Sequence, residues 1–285
     1  MKSIVITGAS SGIGRAASLR LALHGWRVFA GVRKDSDAQA LGSDSQGRLE
    51  TILLDVTDRE SILRAAHEVG TRLGGRGLDA LFNNAGIGST SPIEYTSLDQ
   101  LRETFEVNLF GQIATIQAFL PLIRAAKGRI INTGSVGDHV APPFIGPLAS
   151  SKAAFASMSA ALRLELRPQG IGVCVLEPGA INTPAVEKTL GGVERTIASL
   201  PPEGAALYGE PMRRVAHTFA EKEHAGSPPE AVAAVLERAL NDDSPRTRYP
   251  AGKDSRRLAL LARFLPEKLL DLAILRTFGL LKPAH

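Results

Sequence analysis

The chain has 285 residues, of which 44% are hydrophobic and 22% are charged, a composition that excludes wholesale disorder. The formal net charge is +4, but residues 246–285 contain nine Lys and Arg against three Asp and Glu, a net of +6, which leaves −2 for the rest. A body without a surplus of positive charge argues against nucleic-acid binding.

Cys174 is the one cysteine, so the chain forms no internal disulfide, and a reducing, cytoplasmic location is expected. The three apolar residues before Thr7 are too few for the apolar region of a secretory leader. The longest uncharged run, 107–123, contains Asn108, Gln112 and Pro121. It is therefore predicted to be a helix of a water-soluble domain and not a membrane span.

Short β-branched runs alternate with longer amphipathic stretches along most of the chain. The predicted strands are 4–7, 27–32, 48–55, 78–83, 128–133 and 170–176. The predicted helices are 13–24, 58–73, 98–126 and 150–167. Alternation of this kind is typical of βαβ units, so the sequence predicts an α/β fold with a doubly wound parallel sheet.

Two segments depart from this alternation. Residues 185–228 are rich in Gly, Pro and charge and are predicted to form an irregular lid. Residues 255–278 have a helical pattern in which Pro266 suits the first turn of a second helix and Gly279 suits its end. We therefore expect a single domain over residues 1–254, including the lid, and an amphipathic helical tail over 255–285.

Residues 7–14 (TGASSGIG) connect the first predicted strand to the first predicted helix. Glycines at such a junction let the main chain approach a pyrophosphate, and the start of the helix supplies N–H groups and partial positive charge. The GxxxGxG spacing alone is weak evidence, but its place at a strand–helix junction predicts a dinucleotide site. The expected contacts come from Gly8, Ser10, Ser11, Gly12, Ile13 and Gly14.

The end of the second predicted strand carries Arg33, and no carboxylate occurs before Asp35. A carboxylate at this place would bind a ribose 2′-hydroxyl, whereas an arginine pairs with a 2′-phosphate. NADP is therefore favoured over NAD as the cofactor. The alternative is that Arg33 and Lys34 form a solvated turn.

These residues, with further motifs along the chain, resemble the short-chain dehydrogenase/reductases over nearly the whole length. The resemblance implies a Rossmann-type sheet of about seven strands. It also implies cofactor contacts from Asp55 and Val56 at the adenine, from Asn83, Ala85 and Gly86 in an NNAG element, and from Pro178, Gly179, Ile181 and Thr183 in a PGxxxT segment.

The same resemblance places Asn108, Ser135 and Lys152 where the family keeps its catalytic asparagine, serine and lysine. In the family the lysine also bonds the nicotinamide ribose. Residues 177–181 and 264–280 are similar to the branch that contains 17β-hydroxysteroid and retinol dehydrogenases. The implied activity is hydride transfer between the nicotinamide and an alcohol or ketone.

The chain departs from the family at the acid/base position, a tyrosine four residues before the lysine. Here that position is Leu148, and its place 13 residues after Ser135 supports the register. A leucine cannot protonate the alkoxide formed by hydride transfer, and the loss of a general acid costs about 10²–10⁴-fold in rate. The other tyrosines, Tyr95, Tyr208 and Tyr249, lie outside this segment.

Three explanations of Leu148 stay open. The protein is a natural cofactor binder with low or no activity, or it is a deliberately inactivated variant, or another group donates the proton. The candidate donors are His139, Ser150, Ser151 and Lys152 acting through water. For His139 a solvated loop position is the stronger interpretation.

The apolar residues of the lid favour a lipophilic alcohol or ketone as the substrate, with packing of the lid on the core as an equal alternative. The apolar stripe of the tail predicts docking on the domain or on a partner subunit, with a membrane surface as the alternative. The small residues of the helix 150–167 and the family resemblance imply a homodimer or homotetramer.

The sequence thus predicts an oxidoreductase that uses NADP, with catalysis impaired at Leu148. The alternative is an NADP-binding sensor or scaffold without turnover.

Overall fold

The computed structural model describes residues 1–281, apart from the side chains of residues 187 and 188. Seven parallel strands form one sheet in the order β3-β2-β1-β4-β5-β6-β7. The strands are β1 (Ser3–Ile6), β2 (Arg27–Val32), β3 (Glu50–Leu53), β4 (Ala80–Asn83), β5 (Arg129–Thr133), β6 (Gly172–Pro178) and β7 (Arg248–Ala251). The predicted α/β fold with a Rossmann-type doubly wound sheet is confirmed.

Helices cover both faces of the sheet. In chain order they are α1 (Gly12–Leu23), α2 (Asp35–Asp44), α3 (Arg59–Leu73), α4 (Leu98–Phe105), α5 (Gly111–Ala126), α6 (Gly146–Leu166), α7 (Pro184–Leu190), α8 (Val193–Ser199), α9 (Pro202–His224), α10 (Pro229–Asn241), α11 (Ser255–Phe264) and α12 (Glu267–Thr277). One buried cluster joins α1 and α10 to the sheet, and a second joins α3, α5 and α6 to its other face. The two clusters explain why β1 and β4 are buried on both sides and contain one polar residue each, Ser3 and Asn83.

The six predicted strands are confirmed, with ends that shift by one or two residues. Cys174 lies in β6 and is buried, as expected. The sequence pattern does not predict α2, α10 or β7. The strand β7 has only four residues and includes Pro250, which is tolerated because β7 is at the edge of the sheet.

The predicted helix 98–126 is wrong as a continuous α-helix. Residues Glu106–Phe110 form a π-helical turn between α4 and α5. Leu98–Ala126 as a whole is the one helical stretch among residues 1–281 that is long and apolar enough to cross a membrane. Its α5 part packs Ile116, Phe119 and Ile123 into the core of the domain.

The expectation of an irregular lid at 185–228 is also wrong, because most of this segment is helical, in α7, α8 and α9. Pro184 and Pro202 are the first residues of α7 and α9, where a proline fits without losing a hydrogen bond. The predicted start of α6 at 150 is likewise late, since Pro147 lies in the first turn of the helix.

The tail forms α11 and α12, separated at Pro266, which is the N-cap of α12. Gly279 follows with φ +65°, the left-handed conformation expected after a helix end. Ser255 and Phe278 are buried at the two ends of the tail. Most of the large apolar side chains between them are exposed, so the predicted docking on the domain holds mainly at the ends.

Candidate active site

The loop after β1 is shaped to receive a phosphate group. Gly8 has φ +64°, and a Cβ there would lie 2.9 Å from the Cα of Ala85. A Cβ on Gly14 would collide with the main-chain oxygen of Gly8. Ser11 is the N-cap of α1, but its side chain makes no capping bond, and the first turn contains no acid. The N–H groups at the start of α1 are therefore open to an anion.

The loop is fixed by the residues that follow β4. The Oγ1 atom of Thr7 accepts hydrogen bonds from the main-chain N–H groups of Asn84 (2.9 Å) and Ala85 (3.0 Å). The Nδ2 atom of Asn84 donates to the main-chain oxygens of Thr7 and Gly8. The sequence analysis did not single out Asn84, although its place within the NNAG element was a usable signal.

The side chain of Asn83 points into the sheet and not into the cleft. It is 1% exposed and donates from Nδ2 to Oδ1 of Asn132 at 3.0 Å. Asn132 in turn donates to Ser159 on α6. This side chain therefore joins β4, β5 and α6, and any contact of Asn83 with a cofactor is left to its main chain.

Arg33 lies just after β2, is exposed, and pairs with no side chain among residues 1–281. Asp55 follows β3, and its Oδ1 accepts hydrogen bonds from the N–H and Oγ1 of Thr57. Val56 is buried beside it. The strand order places the ends of β2 and β3 next to each other, on the side of β1 where an adenosine would lie.

Asn108 occupies the middle of the π-helical turn and is fully buried. Its Oδ1 accepts the N–H of Ile87 at 2.9 Å, and its Nδ2 donates to the oxygen of Ile87 at 2.9 Å and to Oγ of Ser151 at 3.0 Å. The amide therefore fixes the loop after β4 against α6.

Lys152 lies on α6, and its Nζ donates to the main-chain oxygen of Thr133 at 2.8 Å. A Cβ on Gly86 would be 3.6 Å from this Nζ and 3.3 Å from Oδ1 of Asn108, so the lysine, the asparagine and the NNAG loop converge. Burial lowers the pKa of Lys152 to about 8, against the opposing attraction of the Asp138 carboxylate.

Ser135 begins a short 3₁₀ turn, Val136–Asp138, directly after β5. Its Oγ accepts the N–H of Gly137 at 3.0 Å, and its own N–H donates to the Asp138 carboxylate at 3.1 Å. The Ser135 hydroxyl proton is therefore free for a ligand. Burial raises the pKa of Asp138 to about 6, although Lys152 and Arg248 lower it.

Leu148 is partly buried on α6, one turn before Lys152. A Cβ on Gly88 would lie 3.2 Å from its Cδ2 and 2.8 Å from Oγ1 of Thr189 on α7. The leucine therefore faces the loop after β4 and the helix α7.

The alternative proton donors are mostly engaged. Nε2 of His139 lies 2.9 Å from Oε1 of Glu177, a buried carboxylate that also pairs with Arg248. Oγ of Ser150 donates to Pro147, and Oγ of Ser151 donates to the oxygen of Leu148. The hydroxyl protons of the two serines are therefore used within α6, and Nε2 of His139 is engaged with Glu177.

The segment after β6 is held by the C-terminal part of the chain. The N–H of Gly179 donates to Ala251, and the N–H of Ile181 donates to Oε2 of Glu223. Pro178 ends β6, and a Cβ on Gly12 would lie 3.3 Å from Thr183, so this segment closes over the phosphate loop. Ser255 Oγ donates to the main-chain oxygen of Glu177 at 2.7 Å.

A cavity of about 500 Å³ opens between the 3₁₀ turn Ile93–Tyr95 and α8. Its lining includes Tyr95, Arg195 and Leu200, and it includes neither Ser135 nor Lys152. The cavity is therefore separate from the residues Ser135 and Lys152.

Comparison with known proteins agrees with this geometry. Residues 2–192 match the family model described as short chain dehydrogenase. The chain belongs to this oxidoreductase family. Mouse (Mus musculus) retinol dehydrogenase 5 is 36% identical over 99% of this chain and 90% of its own length. Bovine (Bos taurus) 17-beta-hydroxysteroid dehydrogenase type 6 is 34% identical over 100% of this chain and 90% of its own. The two relatives place the chain in the retinol and 17β-hydroxysteroid dehydrogenase branch.

A bacterial relative, the NADPH-dependent 3-dehydrocapnine reductase of Ornithobacterium rhinotracheale, is 32% identical over 95% of each chain. A short chain dehydrogenase from Burkholderia cenocepacia, solved in complex with NADP, is 25% identical with a TM-score of 0.73. The superposition covers 99% of this chain and 100% of that one. The family binds NAD or NADP in this fold.

Proposed function

We propose that the protein transfers hydride between NADP(H) and a lipophilic alcohol or ketone, and that Leu148 makes the proton-transfer step slow. The observation that carries this proposal is the convergence of Asn108 and Lys152 at Gly86, beside Ser135 and an open phosphate loop. The family supplies the reaction class, and these side chains supply the means to hold a carbonyl group.

The residues present fit a nicotinamide dinucleotide. The free N–H groups at the start of α1 would hold the pyrophosphate, and Arg33 would pair with a 2′-phosphate. The buried Oγ1 of Thr133 has no hydrogen-bond partner among residues 1–281, so a polar atom at the end of β5 is left for a ligand. A bound nicotinamide would supply or accept the hydride.

The other groups of the cofactor would contact residues at the ends of the strands and on α6. Asp55 and Val56 would border the adenine, and Lys152 would bond the ribose. The loop would use Gly8, Ser10, Ser11, Gly12, Ile13 and Gly14, and the nicotinamide end would use Ala85, Gly86, Pro178, Gly179, Ile181 and Thr183.

The NADP preference rests on the charge at the end of β2. Arg33 is exposed and unpaired among the described residues, so its guanidinium is available for a phosphate. One relative is named as an NADPH-dependent reductase, and one similar structure contains NADP.

The substrate oxygen would be held by Ser135, whose hydroxyl proton is not used within the protein. Leu148 provides no phenol to protonate the alkoxide, and the proposed donor is the Lys152 ammonium acting through a water molecule. With a pKa of about 8, this group carries a proton at neutral pH and is acidic enough to release it. We therefore expect the protein to reduce its substrate, but at a lower rate than an enzyme with a phenol at this position.

The lipophilic substrate is supported by the buried apolar cluster of Val193, Ile197 and Met212 in α8 and α9, with Phe144 and Tyr208 packed against it. Retinoids and steroids, named in the two mammalian relatives, are lipophilic alcohols and ketones of this kind. A second copy of the chain is expected on α6, where Met158 and Leu164 are exposed.

The test compares binding with turnover. NADPH binding is followed by the change in its fluorescence, and NADPH consumption is followed with a panel of ketones and aldehydes that includes retinal and a 17-ketosteroid. Binding with slow consumption supports the proposal. Binding without any consumption supports the alternative that Leu148 keeps open, a cofactor-binding sensor or scaffold, and no binding contradicts both.

A further inference from the structure

The tail exposes apolar surface out of proportion to its length. Residues 255–281 contain seven of the seventeen large hydrophobic side chains that are strongly exposed among residues 1–281. They are Leu258, Leu260, Leu261, Phe264, Leu269, Leu272 and Leu281. Phe264 alone is 73% exposed. Monomeric proteins rarely leave such a concentration of apolar side chains without an occupant.

A shallow groove of about 610 Å³ lies along α11 and the residues that flank it. Its lining includes Leu260, Leu261, Phe264 and Leu265 together with Asp254, Arg256 and Arg257. The groove therefore combines apolar side chains with a net positive charge.

The charge around this surface is positive and unpaired. Residues 255–281 carry five basic side chains, Arg256, Arg257, Arg263, Lys268 and Arg276, against two acidic ones, Glu267 and Asp271. All five basic residues are exposed, and none of them forms an ion pair with a described residue. The guanidinium of Arg263 lies over the Phe264 ring at 5.6 Å, so cation and apolar surface are adjacent.

Both ends of the tail are fastened to the domain, which presents this surface in a fixed orientation. Ser255 Oγ donates to the oxygen of Glu177, and the Phe278 ring packs on Phe219 with centroids 4.9 Å apart. Arg214 donates to the oxygen of Gly279. The exposed leucines are thus not a frayed end of the chain but one face of an anchored helical pair.

The net positive charge of residues 255–281 indicates what binds to their apolar surface. A second copy docked through the same surface would place two tails, each with a net charge of +3, against one another, which like-charge repulsion disfavours. A lipid surface with anionic headgroups offers both an apolar interior for the leucines and phosphates for the exposed basic side chains. We propose that residues 255–281 bind the surface of a bilayer that contains anionic lipids. This proposal does not depend on the catalytic role of the cleft.

The experiment is co-sedimentation of the full chain with vesicles of phosphatidylcholine, with and without phosphatidylglycerol. We expect binding to vesicles that contain phosphatidylglycerol, at least about tenfold weaker binding to phosphatidylcholine alone, and a loss of binding as salt screens the surface charge. Equal binding to both lipids, or none to either, would overturn the proposal.

Two variants locate the binding surface. The double variant Leu261→Glu/Phe264→Glu and the double variant Arg256→Glu/Arg257→Glu should each reduce binding at least about tenfold. The control is Leu23→Glu, which changes a leucine 65% exposed on α1, far from the tail in the chain, and should bind as the unchanged protein does. Thermal melting of each variant verifies folding.

Light scattering separates a lipid surface from a second copy. If the tail variants convert a dimer to a monomer and leave vesicle binding unchanged, the surface is a subunit interface and the proposal is wrong. If they reduce vesicle binding and leave the oligomeric state unchanged, the proposal stands.

Discussion

The Nζ of Lys152 reaches across 19 residues of sequence to the main-chain oxygen of Thr133, at 2.8 Å. This bond joins α6 to the end of β5, where Ser135 follows two residues later. The lysine and the serine are thus held on one rigid unit, while Leu148 sits one helical turn away on the same helix. Under the proposed function, Leu148 leaves the position before Lys152 without a phenol, while the lysine and the serine are retained.

We expect Leu148→Tyr to raise the rate of carbonyl reduction by at least about 100-fold. The phenol would lie one turn before Lys152, whose charge favours the phenolate and lowers the phenol pKa. Initial rates of NADPH consumption measure the gain. Leu148→Phe is the matched control, because it adds the ring without the hydroxyl. An equal gain in Leu148→Phe would assign the effect to packing beside Gly88.

The unchanged protein should lose reductase activity as the pH rises through about 8. The donor form of Lys152 is the ammonium, and burial lowers its pKa to about 8, so the proton is present below this pH and absent above it. A pH–rate profile measures the effect. In Lys152→Arg the side chain stays charged, so the fall near pH 8 should disappear. Persistence of the fall in that variant would show that another group titrates.

Arg33→Ala should weaken NADPH binding by roughly 1–3 kcal/mol and leave NADH binding nearly unchanged, because one charge-assisted pair with the 2′-phosphate is removed. Fluorescence titration with both cofactors measures the difference. Lys34→Ala removes the neighbouring positive charge and is the control for a general effect of charge. If the unchanged protein binds NADPH and NADH equally, the proposed preference is wrong.

Phe278→Ala should destabilise the protein by roughly 3 kcal/mol, since the ring is 6% exposed and packs on Phe219. Phe264→Ala is the matched control, because the same substitution at a side chain 73% exposed should change the stability by no more than about 0.5 kcal/mol. Chemical denaturation measures both. Equal effects would mean that Phe264 is packed as tightly as Phe278.

The sheet and the phosphate loop could be predicted because their signals are local. Short runs of four to seven mainly apolar residues, such as β1 and β6, can be recognised as strands from their composition. The glycines of residues 7–14 can be interpreted because they lie at a strand–helix junction, where the main chain must approach a phosphate closely. The helices of the lid segment could not be predicted this way. Pro184 and Pro202 begin helices here, yet the same residue type also marks loops.

Contacts between residues far apart in the sequence could not be predicted. Asp138 and Glu177 both pair with Arg248, across 110 and 71 residues of sequence. His139 is a candidate donor by its position in the sequence, and only the fold reveals that its Nε2 contacts Glu177, 38 residues away. Partners of this kind are brought together by β5, β6 and β7 lying side by side, which no local pattern encodes.

The π-helical turn Glu106–Phe110 sets the rotational phase between α4 and α5. Each residue of an α-helix advances by about 100°, and a π turn contains one residue more than an α turn. Deleting one residue from 106–110 would therefore produce a more regular helix, yet it would rotate α4 by about 100° relative to α5 and turn its contact face away from α6. The turn that holds Asn108 therefore keeps an irregular hydrogen-bond pattern, because a regular α-helix here would misplace α4. A deletion in this turn should be more damaging than a deletion of the same length in a surface loop.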